Sequence, residues 1–130
     1  MSTEMTLLGW SVALLLVQVV LQASLAAVDL GLPYLLTPRD EGRQPKSVIA
    51  GRFNRALWNL LETYPGFVAL ALAIEVTGQS GGLGATGAQI WFWARVVYIP
   101  VYAFGIPVLR TLVWGASVVG LVLMLVEFLT

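Results

Sequence analysis

Residues 48–76 read VIAGRFNRALWNLLETYPGFVALALAIEV, and this segment is long enough to cross a bilayer, since a helical crossing takes about 20 residues. Most of its side chains are apolar, but polar or charged ones recur near its start at Arg52, Arg55, Asn59 and Glu62. Their spacing places all four on one face of a helix. Ionisable side chains at membrane depth are costly and are kept mainly where they bind or catalyse something. The segment therefore combines a membrane span with a candidate functional site.

The rest of the chain is similarly apolar. Of its 130 residues 58% are hydrophobic, with seven basic and seven acidic side chains, which is too apolar for a soluble domain of this size. Together with residues 48–76, three further segments approach the length of a span, at about 5–30, 88–104 and 107–128. We predict an all-α membrane protein with a single domain over residues 1–130, in which four transmembrane helices form an antiparallel bundle.

Basic residues concentrate between the first two segments, at Arg39, Arg43 and Lys46. The positive-inside rule then predicts a cytoplasmic loop over residues 31–51, with both termini on the opposite side. The uncharged, glycine-rich residues 78–87 are expected to form a loop on the side of the termini. A compact chain with short loops and no targeting signal suggests the bacterial inner membrane.

Composition also excludes several classes of function. The chain contains no Cys and no His, so it supplies neither thiol chemistry nor imidazole ligands. Its acidic residues are dispersed, and we expect no metal site. The net charge is zero and no basic stripe runs along the chain, which argues against nucleic acid. The expected partners are membrane lipids and small molecules.

The third segment carries a second polar face, formed by Arg95, Tyr98 and Tyr102. At about 1.5 Å per residue, Glu62 and Arg95 lie at similar depths, roughly 15 to 18 Å from the cytoplasmic ends of their helices. We therefore expect a polar wedge that opens towards the cytoplasm. Its layers, from the deepest outwards, are Glu62 with Arg95, Asn59 with Tyr98, and Arg55 with Tyr102 and Arg110.

Cations outnumber anions in this wedge. It contains one glutamate, Glu62, and four arginines, which are Arg52, Arg55, Arg95 and Arg110. Arginine offers planar, bidentate donors for carboxylates, which tyrosine hydroxyls and an asparagine amide can supplement. Arg110 lies in the first turn of the fourth helix, where the helix dipole already favours a thiolate or an oxyanion. We expect the wedge to capture a small anionic ligand.

Structural interpretations of single residues stay open. Glu62 and Arg95 could form an ion pair that only holds two helices together, and Arg110 could anchor its helix at the lipid head groups. Arg52 is expected only to reach lipid head groups.

Three short patterns carry a family resemblance: R-A-x-x-N-x-x-E at residues 55–62, followed by Pro65, R-V-V-Y at 95–98, and G-I-P-V-L-R at 105–110. Together they resemble the membrane-associated proteins in eicosanoid and glutathione metabolism, the MAPEG family. Members are homotrimers of four-helix subunits that bind glutathione between subunits, near the cytoplasmic leaflet. The resemblance implies a glutathione-dependent transferase or peroxidase that acts on lipophilic electrophiles or lipid hydroperoxides.

The resemblance also implies roles for individual residues. Arg110 would hold the glutathione thiolate, and Tyr98 or Tyr102 would donate a hydrogen bond to the thiolate or the leaving group. The residues expected to bind glutathione are Arg55, Asn59, Glu62, Arg95, Tyr98, Tyr102 and Thr111. One departure is that the first helix ends at Asp29, where several members carry basic residues, so Arg39 or Arg43 would have to substitute.

Two other functions remain open. The same fold also serves a non-catalytic lipid-binding or scaffold protein, in which the wedge would hold only lipid head groups. A small proton-coupled exporter would use Glu62 as its proton carrier, and would need that carboxylate to be free of arginine partners.

Overall fold

A computed structural model describes residues 1–31, 33, 36–38 and 47–130, and four long helices lie within these residues. They are α1 (Thr3–Leu30), α2 (Val48–Val76), α3 (Gly82–Ala103) and α4 (Pro107–Leu129), and these residues include no strand. The predicted all-α, four-helix class is confirmed. Arg39, Arg43 and Lys46, on which the predicted orientation rests, lie outside the described residues.

Three of the helices, α1, α2 and α4, are long and apolar enough to cross a membrane. The protein is therefore an integral membrane protein. Helix α3 has 22 residues and packs against all three of the others. It supplies the fully buried Trp91 and Arg95, so its position in the bundle depends on contacts with protein as well as on hydropathy.

Capping serines and a proline stabilise the N-terminal ends of three helices. The hydroxyl oxygens of Ser2 and Ser47 accept hydrogen bonds from the backbone N–H groups of Met5 and Ala50, at 3.2 and 3.1 Å. These bonds satisfy donors that the first turns of α1 and α2 leave unpaired. Pro107 lies in the first turn of α4, where its missing N–H costs nothing.

Helix α3 begins at Gly82, whereas the glycine-rich sequence favours a loop up to residue 87. Its start is stabilised from another helix, because the buried Glu4 carboxylate of α1 accepts a hydrogen bond of 2.9 Å from the backbone N–H of Gly81. A carboxylate at a helix N-terminus also interacts favourably with the positive end of the helix dipole. Local sequence could not reveal this contact, because the two residues lie far apart in the chain.

Helices α3 and α4 cross at a pair of glycines. A Cβ atom on Gly87 would lie 2.5 Å from the carbonyl oxygen of Gly120, and one on Gly120 would lie 2.6 Å from that of Gly87. Only the absence of side chains at both positions allows this approach. The crossing fixes α3 against α4, the two helices that carry the predicted tyrosines and Arg110.

Aromatic side chains lock α2 to α3 at the centre of the bundle. The rings of Phe67 and Trp91 stack at a centroid distance of 3.9 Å, and Tyr64 meets Trp91 edge-on at 5.9 Å. The hydroxyl of Tyr64 also forms a buried hydrogen bond of 2.8 Å with that of Ser11 on α1. Three helices therefore share one core, and its contacts set the rotation of each polar face.

Candidate functional site

Arg95 ties the polar faces of α2 and α3 together from inside the bundle, where it is only 1% exposed. It donates hydrogen bonds to the side-chain oxygen of Asn59 at 2.8 Å, to the backbone oxygen of Asn59 at 3.0 Å and to the hydroxyl of Thr63 at 3.1 Å. Its Nε forms no hydrogen bond with any described residue. These bonds offset part of the cost of burying a guanidinium, and the bond to the side-chain oxygen fixes the orientation of the Asn59 amide.

Glu62 does not pair with Arg95, although the sequence places the two at similar depths. The Glu62 side chain is exposed and forms no ion pair or hydrogen bond with any residue that the structure describes. Arg95 instead uses neutral oxygens one turn before and one residue after Glu62, at Asn59 and Thr63. Tertiary packing decides this choice, because Asn59 and Thr63 lie within hydrogen-bonding distance of Arg95 and Glu62 does not.

Tyr102 stands between two arginines from different helices. Its hydroxyl accepts a hydrogen bond of 3.0 Å from Nε of Arg55 on α2. The guanidinium carbon of Arg110 on α4 lies 5.2 Å from the centroid of its ring, which is within cation–π range. Because the hydroxyl oxygen accepts from Arg55, its own proton is available to a ligand.

Tyr98 lies beside Tyr102, with ring centroids 5.5 Å apart, and the guanidinium carbon of Arg95 sits 5.1 Å from its centroid. Its hydroxyl forms no hydrogen bond with another described residue. Tyr98 thus places a second hydroxyl proton, which no described residue accepts, next to that of Tyr102.

A pocket of about 310 Å³ opens at this point between α2, α3 and α4. That volume is at the lower end of the roughly 300–1,000 Å³ typical of small-molecule sites. Its lining consists of Asn59, Tyr98, Tyr102, Arg110, Thr111 and Trp114. The hydroxyl of Thr111 donates to the backbone oxygen of Pro107 at 3.2 Å, so that proton is already engaged within α4.

Five of the eight predicted site residues thus line one pocket: Asn59, Tyr98, Tyr102, Arg110 and Thr111. The other three lie around it. Arg95 is buried behind the wall, Arg55 is exposed at its edge and bonded to Tyr102, and Glu62 is exposed.

Sequence reasoning missed two residues of this region, and helical spacing could have found both. Trp114 follows Arg110 by one turn of α4 and lines the same pocket. Thr63 follows Asn59 by one turn of α2 and shares its contact with Arg95.

Arg52 has a structural partner and does more than reach towards lipid. It donates a hydrogen bond of 3.0 Å to the backbone oxygen of Ala103, at the end of α3. This bond satisfies one of the carbonyls that the last turn of a helix leaves free. Asp29, the acid at the end of α1, is also engaged, because it accepts a hydrogen bond of 2.8 Å from the backbone N–H of Ser47.

The charge around the pocket is positive. Within the described part of the chain, Arg52, Arg55, Arg95 and Arg110 form no ion pair with a carboxylate. The guanidinium of Arg110 also donates no hydrogen bond to a described residue. Unpaired guanidinium groups, hydroxyls and an amide are donors suited to a carboxylate or a thiolate, so the residues present fit the anionic tripeptide glutathione.

The architecture and this pocket define an integral membrane protein of four helices with an arginine- and tyrosine-lined site. The model of the MAPEG family matches residues 7–130, nearly the whole chain, and the protein belongs to that family. No match was found among the curated proteins or among the solved structures compared with the chain. The family identified from the sequence patterns is thereby confirmed.

Proposed function

We propose that this protein is a glutathione-dependent transferase or peroxidase that acts on lipophilic electrophiles or lipid hydroperoxides from the bilayer. The observation that carries the proposal is the placement of Tyr102 between Arg55 and Arg110 at the wall of the pocket. Family membership supports glutathione-related chemistry at the level of the family.

Arg110 is the residue best suited to stabilise a thiolate. Its charge adds to the positive end of the α4 dipole, since it lies in the first turn of that helix. No described carboxylate neutralises it. A thiol near Arg110 would ionise more readily, and the thiolate is the nucleophile.

The tyrosines would assist bond cleavage. In a transfer reaction, the thiolate sulfur forms a bond to the electrophilic carbon, and the leaving group departs with the electron pair of its own bond. The Tyr102 or Tyr98 hydroxyl would stabilise the departing anion by donating a hydrogen bond.

With a hydroperoxide, the thiolate attacks the terminal oxygen and the O–O bond breaks. The alkoxide takes a proton and leaves as an alcohol, while the sulfur becomes a sulfenic acid. A second glutathione then reduces that acid, which yields the disulfide and water.

Binding would extend beyond the pocket of one chain. Arg55 is exposed at its edge and Glu62 is exposed on the same helix, and both side chains are open to the peptide portion of glutathione. In the proposed homotrimer the ligand lies between subunits, so the exposed edge of one pocket would be closed by a neighbour.

We also propose a single domain in the bacterial inner membrane, with residues 31–51 cytoplasmic and both termini on the other side.

The direct test is conjugation of glutathione to a chromogenic aromatic halide by the purified protein in detergent or nanodiscs. Saturable turnover supports the proposal. Calorimetric titration with glutathione separates it from the non-catalytic alternative, because a lipid-binding scaffold would show neither turnover nor saturable binding.

A second candidate, the proton-coupled exporter, is favoured by one observation. Glu62 has no ion-pair partner among the described residues, which is what a proton carrier requires. Substrate efflux by proteoliposomes that is driven by a pH gradient and lost in Glu62→Gln would support this candidate. Conjugation by the wild type, without efflux driven by a pH gradient, would support the transferase.

A further inference from the structure

The side chain of Asn59 forms part of the pocket wall, and its amide has a defined orientation. A guanidinium can only donate hydrogen bonds, so the Asn59 atom 2.8 Å from Nη1 of Arg95 has to be the amide oxygen. The amide nitrogen Nδ2 forms no hydrogen bond with a described residue. Since Asn59 lines the pocket, this nitrogen is the atom left to meet a ligand.

Most of the other polar residues in the pocket wall also present hydrogen-bond donors to a ligand. The oxygen of Tyr102 accepts from Arg55, the hydroxyl of Tyr98 forms no hydrogen bond with a described residue, and Arg110 carries donors only. Thr111 is the exception, because its proton is engaged by Pro107. Two arginines that do not line the pocket thus occupy the acceptor atoms of two residues that do.

We propose that Arg95 is a positioning residue that orients the Asn59 amide, so that the pocket presents N–H and O–H donors to an anionic group of the ligand. Arg95 is 1% exposed behind the wall, and it acts through Asn59 without touching the ligand. The identity of the ligand rests on the proposed function. The preference of the pocket for anions is what the orientation of Asn59 adds.

Asn59→Asp is the decisive variant. One carboxylate oxygen still accepts from Arg95, now as an ion pair, while the other replaces the pocket-facing donor with an acceptor. We expect the dissociation constant for glutathione, measured by calorimetry, to rise by about tenfold or more. The matched control is Thr63→Val, which also removes an oxygen bonded to Arg95 but lies outside the pocket lining, and it should leave the affinity unchanged.

Two variants of Arg95 test the positioning role itself. Arg95→Met removes the group that holds the amide oxygen, so affinity should fall. Arg95→Lys keeps a donor towards that oxygen and should retain more of the affinity. Thermal unfolding shows whether each variant is folded. If folded Arg95→Lys binds no better than folded Arg95→Met, the positioning role is overturned.

Decanoate serves as a second probe, because it is an anion without the glutathione framework. If the wild type binds decanoate but not glutathione, and Asn59→Asp loses decanoate, the proposed function fails while the inference stands. If Asn59→Asp binds these anions as well as the wild type does, the inference is overturned. Binding of neither probe by the wild type also overturns it.

Discussion

Arg52 of α2 holds the turn between α3 and α4, through a hydrogen bond of 3.0 Å from its guanidinium to the backbone oxygen of Ala103. The turn passes close to the same group, since a Cβ atom on Gly105 would lie 2.6 Å from Nη2 of Arg52. This turn carries the chain from Tyr102 to Arg110, so the geometry of the pocket depends on a residue outside it.

Gly105→Ala should lower both stability and glutathione conjugation. Gly105 has φ = 69°, a left-handed conformation that costs a residue with a Cβ about 1–2 kcal/mol, and the new methyl group must also displace Arg52. Gly78→Ala is the matched control, because Gly78 has φ = 71° and open space around its Cβ position. Thermal unfolding and turnover should both be worse in Gly105→Ala. Equal losses in the two variants would contradict a role for Arg52 in holding the turn.

Gly120→Ala should separate α3 from α4. Its Cβ would lie 2.6 Å from the backbone oxygen of Gly87 and 2.7 Å from the backbone nitrogen of Trp91, and neither backbone can move without shifting its helix. We expect a loss of about 1–3 kcal/mol in the free energy of unfolding, measured in detergent. Gly115→Ala, in the same helix and with nothing within 4 Å, should be neutral or slightly stabilising. Similar stability of the two variants would rule out the close crossing.

Tyr102→Phe should reduce turnover while keeping the ring beside Arg110. It removes the hydroxyl that accepts from Arg55 and that, in the proposed mechanism, can donate to the reacting group, and we expect kcat to fall by about tenfold to a hundredfold. Tyr64→Phe makes the same change in the core, where the hydroxyl bonds Ser11 away from the pocket. That control should lose about 1 kcal/mol of stability and little activity. A Tyr102→Phe variant with wild-type kcat would exclude the hydroxyl from the proposed reaction.

Arg110→Ala should abolish most thiolate stabilisation. We expect kcat/KM to fall by about 10²- to 10³-fold, the usual cost of removing a donor from a developing or bound anion. Arg110→Lys keeps the charge but loses the planar donor pair, and its activity should lie between those of the wild type and Arg110→Ala. Ultraviolet absorbance of the bound thiolate gives a readout that is independent of turnover. Unchanged thiolate absorbance in Arg110→Ala would remove the proposed role.

Much of this site follows from periodicity. Steps of three and four residues place Asn59 on the inner face of α2 and Tyr98 with Tyr102 on one face of α3, and the structure brings these three to one pocket with Arg110. The placement of Glu62 shows where periodicity stops. Asn59 and Glu62 lie on the same face of α2, but that face is broad and only part of it is turned towards α3. Periodicity therefore does not decide which of the two residues contacts Arg95.

The amino-acid sequence by itself determined the membrane class, the four long helices of the described residues and the family, because hydropathy, segment length and short patterns are local properties of the chain. Tertiary structure decided the partners of individual polar atoms. The glycine contact between α3 and α4 and the stacked Phe67 and Trp91 set the rotation and height of each helix. A hydrogen bond tolerates errors of only a few tenths of an ångström, so those packing contacts select Asn59 for Arg95 and Ala103 for Arg52.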